Sequence, residues 1–328
     1  MSKLVTIYGG SGFLGRYIAR RLAKEGWRIR IACRRPNEAL FTKPYGAVGQ
    51  VEPILCNVRD EASVRAAMRG ADAVVNCVGI LSHAGKNTFD SIHVAAARTI
   101  AKVAAETGVS RLVHISALGA DANGASQYGR TKAEGEAAVR AAFPAAVILR
   151  PSAMFGTEDN FFNKLASLSR LGPVMAVISS GTKLQPVYVD DVALAAVKAV
   201  EGAAPGTYEL GGPDVESMRQ IVDRTLAIIG RRRLVIGLPG FVSGIIATIG
   251  DVVQGASLGL VRNGLVTLDQ LRSLKTDNVV SPGAKGFADL GIAPVAMGAV
   301  LPDYLWRFRK SGQYDAIKAS AKNLRKTL

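Results

Sequence analysis

Apolar positions follow two alternating rhythms in the first half of the chain. Short apolar runs fall at residues 4–8, 28–33, 51–56, 73–77, 111–115 and 146–149. Between them, residues 13–25, 61–68, 89–106 and 128–142 carry a helical pattern. Strands alternating with helices predict βαβ units, a parallel sheet and right-handed crossovers. Residues 1–150 are thus expected to form an α/β, Rossmann-type, doubly wound domain. Ligands of such a sheet bind at the carboxyl ends of its strands, where the strand order reverses. After Pro151 the pattern loosens into helices and short strands. Residues 151–328 are expected to form a smaller, mostly helical C-terminal part, partly interleaved with the first.

Composition narrows the class. The chain has 328 residues, 48% hydrophobic and 20% charged, as a soluble globular protein does. Met1-Ser2-Lys3 runs directly into the first apolar segment, with no signal-peptide pattern, so the chain is expected to stay in the cytosol. Cys33, Cys56 and Cys77 form no CxxC pair, and His83, His93 and His114 are scattered, so no metal site is expected. The net charge of +15 favours anionic partners. Aromatic residues are only 6% and no nucleic-acid motif is present, so nucleic acid ranks last. Residues 305–328 carry Arg307, Arg309, Lys310, Lys318, Lys322, Arg325 and Lys326 against Asp315 alone. Such a tail is either a solvated helix or a basic surface for an anionic partner. Residues 238–261 have Asp251 as their sole charge. Their glycines and hydroxyl residues dilute the hydrophobicity a membrane span needs, so a buried or partner-docked helix is preferred to membrane contact.

The chemistry begins directly after the first strand. Gly9-Gly10-Ser11-Gly12-Phe13-Leu14-Gly15 sets glycines at 9, 12 and 15 between a strand and a helix. The first permits a tight turn, the second lets backbone N–H groups approach a pyrophosphate, and Gly15 lets the helix pack closely. The positive end of the helix then faces the phosphates. NAD-binding folds place a carboxylate at the end of the second strand. Here that strand ends Ile31-Ala32-Cys33-Arg34-Arg35. A guanidinium suits a ribose 2′-phosphate, so NADP(H) is preferred, with Arg34 first and Arg35 assisting.

A second pair of residues bears on the nicotinamide end. Tyr128-Gly129-Arg130-Thr131-Lys132 opens the helix after the fifth strand, which ends at Ser116. Tyr128 and Lys132 lie one helical turn apart on one face. In a reductase the lysine binds the nicotinamide ribose and lowers the tyrosine's pKa, and the phenol protonates a carbonyl as hydride arrives.

Together these motifs resemble the short-chain dehydrogenase/reductase superfamily in its extended or atypical branch. The stretches Leu149-Arg150-Pro151-Ser152-Ala153-Met154-Phe155-Gly156-Thr157-Glu158-Asp159-Asn160-Phe161 and Gln185-Pro186-Val187-Tyr188-Val189-Asp190-Asp191-Val192 resemble one subfamily, the NADPH-containing accessory subunit of respiratory complex I. The resemblance implies a bound NADPH kept as a structural element, on the peripheral arm near the membrane and the quinone-reducing region. It assigns the pyrophosphate to Gly9, Ser11, Gly12, Phe13 and Leu14, and the 2′-phosphate to Arg34 and Arg35. It assigns Asn57 and Val58 to the adenine side, and Val78 and Gly79 to the ribose and diphosphate. The nicotinamide side falls to Tyr128, Lys132, Arg150, Pro151 and Ser152. Active relatives usually carry Asp at the position of Asn57. They also usually end the fifth strand with two serines, where this chain has Ser116-Ala117.

Three readings follow. One is a non-catalytic NADPH-binding subunit among other complex I subunits at the junction of peripheral and membrane arms. It would be peripheral on the cytoplasmic face of the inner membrane, or on the matrix side in a mitochondrion, with anionic lipid headgroups as a further contact. The second is a free-standing NADPH-dependent reductase or epimerase acting on a sugar nucleotide or similar carbonyl, with Tyr128, Lys132 and Ser116 catalytic. The third is a redox-sensing or assembly factor that reads the NADPH/NADP ratio.

Overall fold

The structure, a computed structural model, describes residues 2–238, 267–310 and 312–314, with Gly244 and Thr248. From the N-terminus come β1 (Leu4–Tyr8), α1 (Phe13–Lys24), β2 (Arg28–Cys33) and β3 (Val51–Leu55). They are followed by α2 (Glu61–Met68), β4 (Ala73–Asn76), α3 (Ala96–Glu106), β5 (Arg111–Ile115), α4 (Gln127–Ala142) and β6 (Val147–Pro151). Next are β7 (Met154–Phe155), α5 (Phe162–Leu168), β8 (Val174–Ile178), β9 (Lys183–Leu184), β10 (Val187–Tyr188), α6 (Val189–Glu201) and β11 (Gly206–Leu210). Seven strands form one sheet in the order β3-β2-β1-β4-β5-β6-β11, and each neighbouring pair runs parallel. The order reverses between β1 and β4, which opens a crevice at their carboxyl ends.

Helices cover both faces, and this is why the strands read as unbroken apolar runs. Val5 and Ile7 of β1 enter the core with Ile18 and Leu22 of α1 and Val192 and Ala196 of α6. Tyr8 enters the opposite core with Val64, Met68, Ile100 and Val139 from α2, α3 and α4. Burial of each large aliphatic side chain stabilises by about 1.5–3 kcal/mol. The polar atoms on this buried strand are satisfied: Thr6 Oγ1 donates to the Ala67 carbonyl at 3.0 Å and Tyr8 Oη to that of Val64 at 2.7 Å.

A third core lies beyond the sheet. It joins Phe155, Phe162, Met175 and Val177 to Ile221 and Leu226 of α7 (Met218–Ile228) and to Leu301, Tyr304 and Leu305. α7 lies between β12 (Glu216–Ser217) and β13 (Leu234–Leu238), and the short α8 (Leu268–Ser273) precedes α9 (Met297–Leu305), which supplies those last three residues. Buried Asp159 fixes the fingerprint stretch after β6 to this core. Its carboxylate accepts the Tyr304 phenol at 2.5 Å and the N–H groups of Gly156 and Asn163.

Two features of the described residues fill out the pattern expected of the sequence. Two elements of the loosely patterned region after Pro151 return to the sheet: α6 packs on α1, and β11 pairs with β6 from Gly206↔Val147 to Leu210↔Pro151. The helix expected over 89–106 opens with a π-helical turn at Asp90–Ala95 before α3. A Cβ on Gly135 of α4 would stand 2.1 Å from the His93 carbonyl oxygen, so this turn and α4 meet backbone to backbone. The apolar stretch 238–261, apart from Leu238, Gly244 and Thr248, lies outside the described residues, as does the basic tail from Asp315 onward.

The phosphate turn rests on one other close approach. A Cβ on Gly15 would lie 2.5 Å from the Gly9 carbonyl oxygen and 2.6 Å from Gly10 Cα. Both are backbone atoms, so Gly15→Ala must push α1 away from the turn. Overpacking of this kind costs about 1–3 kcal/mol, and a urea unfolding midpoint followed by circular dichroism should fall accordingly. An unchanged midpoint would show that the turn yields.

Candidate dinucleotide site

The crevice is built where the β1 and β4 loops press together. Gly9 takes φ +74°, and a Cβ there would lie 3.2 Å from the carbonyl carbon and oxygen of Cys77, just past β4. The Gly9 N–H is held by Ala32 at the end of β2, at 2.9 Å. Gly12 caps α1 without a side-chain bond, and the first turn of α1 carries no acidic residue. The N–H groups of Phe13, Leu14 and Gly15 therefore have no intrahelical partner and lie at the positive end of the helix. These positions fit a pyrophosphate. Val78 is fixed by its N–H donating to Asn76 Oδ1 at 3.1 Å. Gly79 is exposed, with Lys132 Nζ 3.4 Å from where its Cβ would be.

Toward the adenosine end, Arg34 and Arg35 are exposed just past β2. Arg35 pairs with Glu38 at 2.9 Å, whereas Arg34 makes no ion pair among the described residues. Asn57 is exposed, and its Oδ1 accepts the Arg59 N–H. Val58 packs partly against the α2–α3 core.

At the other end, Tyr128 and Lys132 share one face of α4, with the ammonium 5.9 Å from the phenol ring centre. Lys132 Nζ donates to the Ile115 carbonyl at 3.2 Å, which ties the pair to the end of β5. Burial pulls the Lys132 ammonium down to about 8, against the opposing pull of Glu136 and Cys77. Burial pushes the Tyr128 phenol up to about 12. Burial is the cause of this rise, and the phenol stays in its protonated, proton-donating form. Ser116 Oγ is buried without a hydrogen-bond partner among the described residues. An orphaned buried hydroxyl at the mouth of the crevice fits a bound group that would complete its hydrogen bonding.

The nicotinamide-side residues of β6 are not equally free. The Arg150 guanidinium forms a fork with Glu136, both bonds 2.8 Å, and reaches Glu209 at 3.3 Å. Its charge therefore holds α4 to the sheet rather than standing free over the crevice. Pro151 closes β6. Ser152 is buried, and its hydroxyl donates to Asn278 Oδ1 at 2.7 Å.

Some participants escaped the sequence reading. His93, one of the scattered histidines, lies beside Tyr128, with ring centres 5.4 Å apart and edge to face. Its Nε2 must accept, because the Ile80 N–H donates to it at 3.2 Å. Its Nδ1 therefore carries the proton and donates to Thr131 Oγ1 at 3.1 Å. Thr131 Oγ1 in turn donates to the carbonyls of Gln127 and Tyr128. The loop after Gly79 is thus chained to the first turn of α4. Glu136 was also missed, though its i,i+4 spacing with Lys132 and Arg140 is a signal that could have found it. No local pattern pointed to Asn278 or Asp269, whose contacts with Leu118, Ser152, Gln127 and Tyr128 span more than a hundred residues of sequence.

The profile of the NAD dependent epimerase/dehydratase family matches residues 5–211, from β1 through β11 and thus the whole crevice. The chain belongs to this family. Among family relatives, the Arabidopsis thaliana mitochondrial NADH dehydrogenase [ubiquinone] 1 alpha subcomplex subunit 9 is 35% identical over 316 residues, 94% of this chain and 79% of that protein. The Neurospora crassa mitochondrial NADH-ubiquinone oxidoreductase 40 kDa subunit is 33% identical over 325 residues, covering 98% and 83%. The chain is a homologue of these complex I subunits. The crystal structure of gox2253 shares the fold, with a TM-score of 0.70, 22% identity, and coverage of 95% of this chain and 99% of that one. Among the described residues of this epimerase-family chain, no helix is long and apolar enough to cross a membrane.

Two buried histidines under the site set a pH dependence. Burial pulls both His93 and His114 down to about 3, with the Lys132 charge adding to the effect. In the unfolded chain they titrate near the ordinary imidazole value, so below about pH 6.5 the unfolded state binds protons that the folded state refuses. Stability should be full above that pH and fall by up to about 3 kcal/mol per pH unit toward pH 5, for two protons. His114→Leu should halve the slope of folding free energy against pH, measured by urea unfolding between pH 7 and 5. An unaltered slope would remove His114 from the account.

Proposed function

We propose that this chain is an accessory subunit of respiratory complex I that keeps one NADPH as a structural element without turnover. The observation that carries the reading is the reach of the likeness. The family profile stops at residue 211, while similarity to the two complex I subunits runs through 94–98% of the chain, C-terminal part included. A likeness confined to nucleotide binding would fade beyond the sheet. Residues 151–328 serve as the docking region, which carries the third core and the basic tail. The partners are other complex I subunits at the junction of the peripheral and membrane arms. The chain lies peripherally on the cytoplasmic face of the inner membrane, or on the matrix side in a mitochondrion, with anionic lipid headgroups as a further contact.

The site supports retention of the nucleotide. Backbone N–H groups of Ser11, Phe13 and Leu14 would face the pyrophosphate, Arg34 the 2′-phosphate, and Lys132 the nicotinamide ribose. NADPH supplies hydride chemistry when bound. One departure weighs against turnover: Ala117 stands where a second serine would help polarise a carbonyl. The competing reading, a free-standing reductase or epimerase, draws on the intact Tyr128, Lys132 and Ser116. It requires a carbonyl substrate and free exchange of the nucleotide.

Two experiments separate these readings. Gentle solubilisation of the membranes, followed by nucleotide release, should recover NADPH near one to one in a large particle that oxidises NADH. A soluble protein exchanging NADPH readily would favour the reductase. In the purified chain, Arg34→Ala should weaken NADPH binding by roughly 10–100-fold, the size of a lost guanidinium–phosphate bond. NADH binding should be nearly unaffected. Equal losses for both nucleotides, measured by calorimetry, would defeat the 2′-phosphate assignment.

A further inference from the structure

One segment from outside the nucleotide fold crosses the nicotinamide end of the crevice. Residues 267–278 form a strap that includes α8. Thr267 caps this short helix reciprocally with Gln270. Asp269 then reaches the start of α4, where its two carboxylate oxygens accept the N–H groups of Gln127 at 2.6 Å and Tyr128 at 3.0 Å. Ser126 Oγ accepts the next N–H, that of Gly129, at 3.0 Å. The first turn of α4 is therefore fully capped from within the chain.

The far end of the strap closes the opposite side. Asn278 Nδ2 donates to the Leu118 carbonyl at 3.0 Å, in the loop after β5, and Asn278 Oδ1 accepts the Ser152 hydroxyl, just after β6. The amide orientation is fixed by chemistry, because the Leu118 carbonyl can only accept. Asn278 is itself held on both sides of its backbone by β9 and its neighbour, Asn278 N–H to Lys183 and Gln185 N–H to Asn278. Thr182 Oγ1 donates to the Leu274 carbonyl at 2.6 Å, and Lys183 N–H donates to Asp277 at 2.8 Å. The strap thus touches the β5 loop, the β6 loop and the start of α4, the three places from which Ser116, Ser152 and Tyr128 frame the nicotinamide end.

We infer that this strap is the closing wall of the nicotinamide end, and that Asn278 and Asp269 are positioning residues that set how long the nicotinamide half of the dinucleotide stays bound. The inference rests on the dinucleotide reading above. Its physical basis is hydrogen-bond accounting. The helix N-terminus that would draw an anionic ligand, the Ser152 hydroxyl and the Leu118 carbonyl are all engaged inside the chain. At these three places an incoming substrate meets satisfied groups, while an enclosed nicotinamide leaves only by breaking the wall. The adenosine half, held by the β1 and β2 ends, has no contact with the strap and is indifferent to it.

That difference between the two halves supplies the test. Two ligands are compared on the purified full chain: NADPH, and 2′-phospho-ADP-ribose, which has the adenosine half and diphosphate but lacks nicotinamide. Asn278→Ala should speed NADPH dissociation about tenfold and Asp269→Asn, which keeps one acceptor oxygen, about threefold, as expected for the loss of one or two ordinary hydrogen bonds. The affinity for 2′-phospho-ADP-ribose should stay within about twofold in both variants, because the strap does not reach its site. NADPH leaving both variants at the wild-type rate overturns the inference. So does an equal weakening of both ligands, which would mark the strap as general scaffolding. If the wild-type chain binds neither ligand, the dinucleotide reading itself falls. The milder Asp269→Asn keeps the test decisive should Asn278→Ala fail to fold.

Discussion

Everything at this site depends on two parallel strands, β1 and β4, parting at their carboxyl ends while their following loops remain in contact. Gly9 makes that contact possible, because any side chain there would strike the Cys77 backbone. The consequence runs outward in both directions. On one side the turn aims the open end of α1 into the crevice. On the other, the β4 loop carries Val78 and Gly79 to the edge of the Lys132 ammonium. Hydrogen bonds from the Gly9 N–H to the Ala32 carbonyl and from the Val78 N–H to Asn76 Oδ1 keep the two loops in register with the sheet.

The chemistry of the nicotinamide end is governed by desolvation. Lys132, Tyr128, His93 and His114 are each pushed toward their neutral forms by burial. Opposite charges are concentrated elsewhere, in the fork of Arg150 with Glu136, which locks α4 to β6. The site therefore holds one ammonium, Lys132, weakened by burial but still charged at neutral pH, beside the ion pair of Arg150 with buried Glu136.

The alternation of apolar runs and helical patterns made the first six strands and four helices legible, with ends misplaced by a residue or two. Those elements are dictated by local periodicity, and a two-faced buried sheet enforces it. β11 was not legible, since Gly206–Leu210 mixes Gly, Thr and Glu209 and is a strand because β6 needs a neighbour. The glycine turn, Arg34 and the Tyr128–Lys132 pair could be found because their chemistry requires fixed short spacings. Arg150 and Ser152 sat in a recognisable stretch, yet their side chains answer to Glu136, Glu209 and Asn278, partners chosen by the tertiary fold. His93 showed no periodic signal because the turn that places it breaks the helical period.

That π-helical turn bears on how such a chain can change over time. It accommodates an extra residue relative to an α-helix, and each residue of an α-helix rotates the following side chains by about 100°. Loss of one residue between Asp90 and Ala95 would present α3 with a choice between two rotations. One keeps Ile100 and Ala104 against the sheet, and the other keeps His93 between Ile80 and Thr131. A single-residue deletion here cannot keep both contacts at once, although the neighbouring loop at 81–88 is largely exposed. The turn thus couples the length of this helix to two packing surfaces at once.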